Sequence, residues 1–341
     1  MQLFQVAPIE SKPLQPVDLP IPEPGPEELR IRILACGVCH TDLHEIEGDI
    51  PLPRLPLIVG HQIVGIVDKL GPDVNIPAVG TRVGVPWLGS TCGHCRYCRS
   101  GRENLCPNIH LTGFHTDGGY AQFTIARAGF CYPIPDNLPT FNTAPLLCAG
   151  VIGYRALRLT LNLDRIPGSP PDDIAVGLYG FGASAHICLQ ILKYWHHRTA
   201  VFTRTPQHQE HARELGADWV GTAQEKPPFL IDRAIIFAPA GELVPFALKN
   251  LDRGGTLTLA GIHMTPTPPL DYTLLYNERT IRSVANSTRQ DVIELLTLSA
   301  TIPLQTTVTT FPLSEANQAL LAIKQSRING AAVLVVDRDT A

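Results

Sequence analysis

The sequence has no apolar run long enough to cross a membrane. Stretches such as Leu55–Val59 and the longest unbroken run, Ala331–Val336, fall far short of the roughly 20 residues a bilayer demands. It has no excess of one charge either: 27 Lys and Arg stand against 31 Asp and Glu, a net charge of −4. No field therefore draws the whole chain to nucleic acid or to an anionic membrane. The start, Met1-Gln-Leu-Phe-Gln-Val6, lacks the charged and apolar regions of a secretion signal, and there is no internal repeat or low-complexity tract. What remains is an ordinary globular balance, 44% hydrophobic and 17% charged over 341 residues, enough for two domains with ample cores.

Cysteine is what the chain does have. Nine cysteines without a secretion signal imply a reducing compartment, and the cytoplasm is the expected location. Four of them, Cys92, Cys95, Cys98 and Cys106, crowd one short lobe spanning about 88–108. Overlapping Cys-x-x-Cys pairs put three thiolates on one turn and the fourth eight positions later, which is a spacing suited to tetrahedral zinc. Four sulfur ligands leave no position for a substrate, so this zinc is expected to be structural. A disulfide framework is the alternative, and the reducing compartment argues against it.

A second, working site can be assembled from residues far apart. Cys39-His40-Thr41-Asp42-Leu43-His44 follows a strand-like run in which Arg30 and Arg32 alternate with apolar residues. His61 enters another such run, and Cys148 lies in the apolar stretch Ala144–Gly150. One imidazole and two thiolates hold zinc with a fourth position open. Taken singly, a cysteine such as Cys148 is more often a small buried residue, and a histidine such as His61 more often a satisfied polar one. Cys36, Cys131 and Cys188 are expected as core thiols.

The period then changes. Prolines crowd the first 26 residues, giving a loop-rich entry without helix, and residues 29 to 135 read as short strands punctuated by Gly and Pro. A helical stretch, Ala144–Leu163, leads to the segment Ile166–Asp173, whose Pro, Gly and Asp content marks a boundary. Strand–helix alternation follows. Ile174–Tyr179 is a buried strand, Gly180-Phe-Gly182-Ala-Ser-Ala185 is a turn, and a helix runs on to about His197. Gly180 permits the turn, Gly182 lets backbone approach a pyrophosphate, and Ala185 keeps the helix close to the strand. At the end of the next strand, Thr203-Arg204-Thr205 replaces the acid that NAD sites use, which favours NADP(H).

Taken together, these residues resemble the zinc-dependent alcohol dehydrogenases of the medium-chain dehydrogenase/reductase superfamily. The motif order is shared along essentially the whole chain: Cys39-His-Thr-Asp-x-His44, Gly60-His61, the four-cysteine lobe, Cys148, then the glycine turn. The resemblance implies an α/β protein with a GroES-like, β-rich catalytic domain over residues 1–151. A Rossmann domain, a doubly wound parallel sheet, would occupy 152–289, and residues 290–341 would return to the first domain. It also implies two zincs per chain, a small alcohol or aldehyde substrate, and a homodimer or homotetramer.

Residue by residue, Cys39, His61 and Cys148 would hold the catalytic zinc and Asp42 would bond the far ring nitrogen of His61. Thr41 would meet the substrate oxygen and begin a proton relay ending at His44. His40 and Gly261 would lie on the cofactor side, and Trp87 in the substrate pocket. Three positions depart from the family pattern. Gln62 stands for a glutamate beside the zinc, Ile152 for a frequent hydroxyl, and Ala331 for an arginine. Competing expectations are a polyol or sugar dehydrogenase and a zinc-free quinone or enoyl reductase of the same fold. A nucleic-acid-binding zinc module, suggested by Arg96, Arg99 and Arg102, is opposed by the negative net charge and the lack of interleaved aromatics.

Overall fold

A computed structural model describes residues 1–163, 174–302 and 304–337. The boundary segment expected at 166–173 therefore lies outside the described residues. The chain divides into two compact units, one of Met1–Val151 with Asn286–Ala341 and one of Ile152–Ala285.

In the first unit the strand Glu28–Val38 is the spine. Its first half alternates, with Leu29, Ile31 and Ile33 wholly buried, while Arg30 points out to Asp68 at 2.5 Å. Its second half, Leu34 to Val38, is buried on both faces. Such a change marks a strand whose end is sandwiched by later chain. It pairs antiparallel with Gln62–Leu70, Phe123–Arg127 and Ala331–Val335. The sheet is not wholly antiparallel as its short, turn-rich strands suggest. Val308–Pro312 runs parallel to Ala331–Val335, because the helix Ala316–Lys324 carries the chain back between them. The proline-rich entry holds one short 3₁₀ turn, Ile9–Ser11.

The second unit is a six-stranded, all-parallel sheet. Its order is Trp219–Gly221, Arg198–Phe202, Ala175–Tyr179, Ile231–Ile236, Leu251–Leu259 and Thr280–Ser283. In chain order that is 3-2-1-4-5-6, the doubly wound arrangement that reverses direction beside its first strand. Ala175–Tyr179 is buried at every position, as a central parallel strand must be. Among the described residues no single helix is long and apolar enough to span a membrane.

Candidate metal centres and cofactor turn

The helix His40–Glu47 starts at Cys39, whose extended backbone makes it the cap residue. Asp42, three residues on, accepts the Cys39 N–H at 2.8 Å through Oδ2. That reciprocal cap fixes the first turn and leaves the other carboxylate oxygen to face inward. Asp42 Oδ1 lies 3.2 Å from Nδ1 of His61, and both side chains are wholly buried. Held there, the imidazole turns Nε2 to 3.5 Å from Cys39 Sγ and 3.3 Å from Cys148 Sγ.

Cys148 reaches that point through a break. The expected continuous helix is instead a 3₁₀ turn, Ala144–Leu147, followed by the helix Ala149–Leu161, and the stretch before the break bends 48° from the one after it. Cys148 itself has φ −135° and ψ −72°, outside the helical range. A continuous helix here would carry its side chain on round the helical surface.

His61 is positioned by a seam of glycines. Gly60 has φ +98°, and a Cβ there would sit 2.3 Å from the Tyr120 ring. Across from it, a Cβ on Gly113 or Gly118 would come within 2.6 or 2.0 Å of the Gly60 carbonyl oxygen. Backbone therefore packs on backbone immediately before His61, and Trp87 lies beside the ring with centroids 5.6 Å apart.

The donor atoms of Cys39, His61 and Cys148 all lie within 4.8 Å of one another. Tetrahedral zinc at 2.3 Å from sulfur and 2.0–2.1 Å from nitrogen separates such neighbours by about 3.5 Å, so the three donors fit that ion. The second cluster also fits. Cys95 to Cys98 and Cys92 to Cys106 are each 3.5 Å, and Cys92 to Cys98 is 3.9 Å. Peptide N–H groups of His94 and Cys95 pull the Cys92 thiol down to about 6, while burial pushes Cys106 up to about 11. Cys36, Cys131 and Cys188 are buried elsewhere.

Thr41 is buried in the first turn of the same helix, beside the more exposed His40. His44 closes that helix, and its Nδ1 lies 2.8 Å from Oδ2 of Asp49. Gly48 makes this contact possible: with φ +85° it reverses the chain so that Gly48 and Ile50 both donate to the His44 carbonyl. Asp49 thus returns against the ring. Its role escapes a reading of single motifs, although Gly48-Asp49 straight after a helical run is the signal that points to it. Gln62 is buried behind His61, with Nε2 lacking a hydrogen-bond partner. Glu45, one helical turn from Asp42, is also wholly buried without one.

The glycine turn lies in the second unit. Gly180 has φ +88°, and a Cβ there would press on Ala238 at 2.9 Å. At Gly182, the cap of the helix Ala183–Tyr194, a Cβ would meet nothing within 4 Å. The first glycine is required by the protein itself, and the second leaves open space above a helix N-terminus, where an anionic ligand fits. Ala185 is wholly buried under the turn. Thr203 is buried, its carbonyl accepting from Gln209 Nε2 at 2.9 Å, whereas Arg204 and Thr205 are exposed. Gly261 follows the strand Leu251–Leu259 and packs against Met264. Ile152 is half-buried, and Ala331 is buried at the start of its strand.

The chain is similar to known proteins along nearly its whole length. The family described as "Alcohol dehydrogenase GroES-like domain" matches residues 25–136. A Mycobacterium tuberculosis protein, "Probable alcohol dehydrogenase AdhA", is 44% identical over 98% of this chain and 96% of its own length. An alcohol dehydrogenase of Geobacillus stearothermophilus is 37% identical over 96% of this chain and 97% of its own. Among solved structures, a cinnamyl alcohol dehydrogenase from Sorghum bicolor superposes with a TM-score of 0.87 at 24% identity. That superposition covers 98% of this chain and 97% of the other.

Proposed function

The chain belongs to the alcohol dehydrogenases of the medium-chain dehydrogenase/reductase superfamily, and on that premise we propose a zinc-dependent enzyme that prefers NADP(H) and interconverts primary alcohols and aldehydes. The observation that carries this reading is the convergence of Cys39, His61 and Cys148, backed by Asp42, from three separate stretches of chain. Zinc bound by these three residues would supply Lewis acidity at the substrate oxygen. The nicotinamide would supply or take up the hydride.

The chain's own groups handle orientation and protons. Asp42, with Oδ1 3.2 Å from Nδ1 of His61, would favour the proton on Nδ1 and so keep Nε2 available as a ligand. The Thr41 hydroxyl both accepts and donates, as the first member of a relay must. At the relay's end, Asp49 holds the proton of His44 on Nδ1, which leaves Nε2 to accept another. In the second unit, Gly180 and Gly182 shape the pyrophosphate seat, and Arg204 offers a guanidinium to a 2′-phosphate. No carboxylate stands between Ala200 and Gln209 to repel that phosphate. The decisive experiment measures metal content with steady-state rates for primary, allylic and aromatic alcohols, each with NADP(H) and NAD(H). Full turnover with fewer than about two zincs per chain would reject the zinc reading.

A further inference from the structure

Two histidines of the second unit have no part in the chemistry above. His186 lies on the helix Ala183–Tyr194 and is buried, and His211 lies on the helix Pro206–Glu214. Their ring centres are 6.0 Å apart, and Phe181 packs edge-on against His211 at 5.8 Å. In each ring Nε2 is buried without a hydrogen-bond partner. The Nδ1 atoms, by contrast, face oxygens that can only accept. His186 Nδ1 lies 3.4 Å from the Gly182 carbonyl, and His211 Nδ1 lies 3.6 Å from a Glu214 carboxylate oxygen.

The Gly182 carbonyl places the His186 proton on Nδ1 and its lone pair on Nε2, and the Glu214 carboxylate, beyond hydrogen-bond reach, favours the same tautomer of His211 through its charge. Two buried lone pairs with nothing to accept are costly. They are also how metal-binding histidines are prepared, since such a ring almost always gives its other N–H to a backbone carbonyl or a carboxylate. Two imidazoles sharing one tetrahedral ion at about 2.0–2.1 Å have ring centres roughly 5.2 Å apart, so these rings would close by a little under about 1 Å on binding. Burial depresses the His186 pKa to about 4, so that ring is neutral and able to ligate at ordinary pH. A second close pair, His110 and His115 at 5.4 Å, lacks this preparation. There the Leu111 N–H donates to His115 Nδ1 at 3.0 Å, which puts that ring's proton on Nε2.

We propose that Nε2 of His186 and Nε2 of His211 form a further site for a divalent transition ion of the imidazole-preferring kind, with water completing its coordination. The ion would tie together the helix that begins at the glycine turn and the helix that follows Arg204. Nickel, copper and zinc all suit such ligands.

The test uses tag-free protein with both cysteine sites loaded with zinc, dialysed to equilibrium against Ni²⁺ near neutral pH, with nickel and zinc both counted. The expected result is one nickel per chain beyond the zinc. Glu214→Gln should raise the Ni²⁺ concentration needed by no more than about fivefold. Both His186→Gln and His211→Gln should abolish uptake. His211 is the less buried of the two, so its variant carries the test if His186→Gln fails to fold. No nickel uptake by the native protein, or uptake that survives in His211→Gln, would overturn the proposal. This inference stands independently of the alcohol dehydrogenase reading.

Discussion

Asp49 holds Nδ1 of His44 at 2.8 Å, brought there by the left-handed turn at Gly48. The contact joins the last turn of one helix to the loop just beyond it, and it dictates which ring nitrogen carries the proton.

That geometry predicts an inverted mutational order. A merely structural Asp49 would tolerate the isosteric Asn better than Ala. If Asp49 sets the tautomer, Asn is worse, because its amide N–H can donate to Nδ1 and drive the proton to Nε2. Positioned proton transfer is worth about 10²–10⁴-fold, and His44→Gln should lose the lower part of that range. Asp49→Asn should turn over more slowly than Asp49→Ala, as read from kcat and its solvent isotope effect. A normal His44→Gln rate would remove His44 from the relay altogether.

Metal content tests the three-residue site. Cys148→Ser should retain the lobe metal, lose the other, and abolish turnover while remaining folded by circular dichroism. Asp42→Ala removes only the group behind His61, so metal affinity should fall by about 10–100-fold without loss of a ligand. Chelator competition would measure it. Unaltered affinity would show that Asp42 serves the helix cap alone.

The proposed cofactor preference rests on Arg204. A charge-assisted hydrogen bond to phosphate is worth about 1.5–3 kcal/mol, on the order of ten- to a hundredfold. NADPH should exceed NADH by at least about tenfold in kcat/KM. Arg204→Ala should erode that ratio, and Thr203→Asp should invert it. Equal use of both cofactors by the native protein would refute the reading.

Acid should destabilise the second unit through His186. Its folded pKa of about 4 lies below the ordinary 6.5, because burial penalises the imidazolium. As pH falls from about 6.5, the unfolded chain takes up this proton first, so the stability contribution is complete above that pH. It is lost progressively towards pH 4 and amounts to about 3 kcal/mol. His186→Gln should flatten the pH dependence of unfolding over this window in urea titrations. An identical slope in the variant would refute the assignment.

Much of this architecture was legible in the chain. Overlapping Cys-x-x-Cys pairs announce their lobe because a metal constrains spacing, and Gly180 and Gly182 announce a turn because backbone geometry admits little else. The strand Ala175–Tyr179 was readable from continuous apolarity. The break at Cys148 was not. Pro145 and Gly150 flank it without marking the residue at which the helix is interrupted, and what sits there is a thiol turned to 3.3 Å from Nε2 of His61, a contact distant in sequence. The parallel pairing of Val308–Pro312 was equally hidden, since strand periodicity carries no direction. Nor does any motif report that Glu45 is buried, because its neighbours in sequence mix charged and apolar residues.

For anyone wishing to redesign substrate preference, the glycine seam divides the site into fixed and variable parts. Not even a methyl group fits at Gly60, Gly113 or Gly118 without driving the chain away from Tyr120 or from the Gly60 carbonyl. Libraries that randomise these positions would return mostly misfolded clones and say nothing about substrate. Trp87 borders the same imidazole, and its tie to the seam is through the backbone alone, its carbonyl accepting from the Thr112 N–H at 2.9 Å. On the proposed zinc reading, diversity is better spent at the Trp87 side chain, which borders His61 without belonging to the glycine contacts.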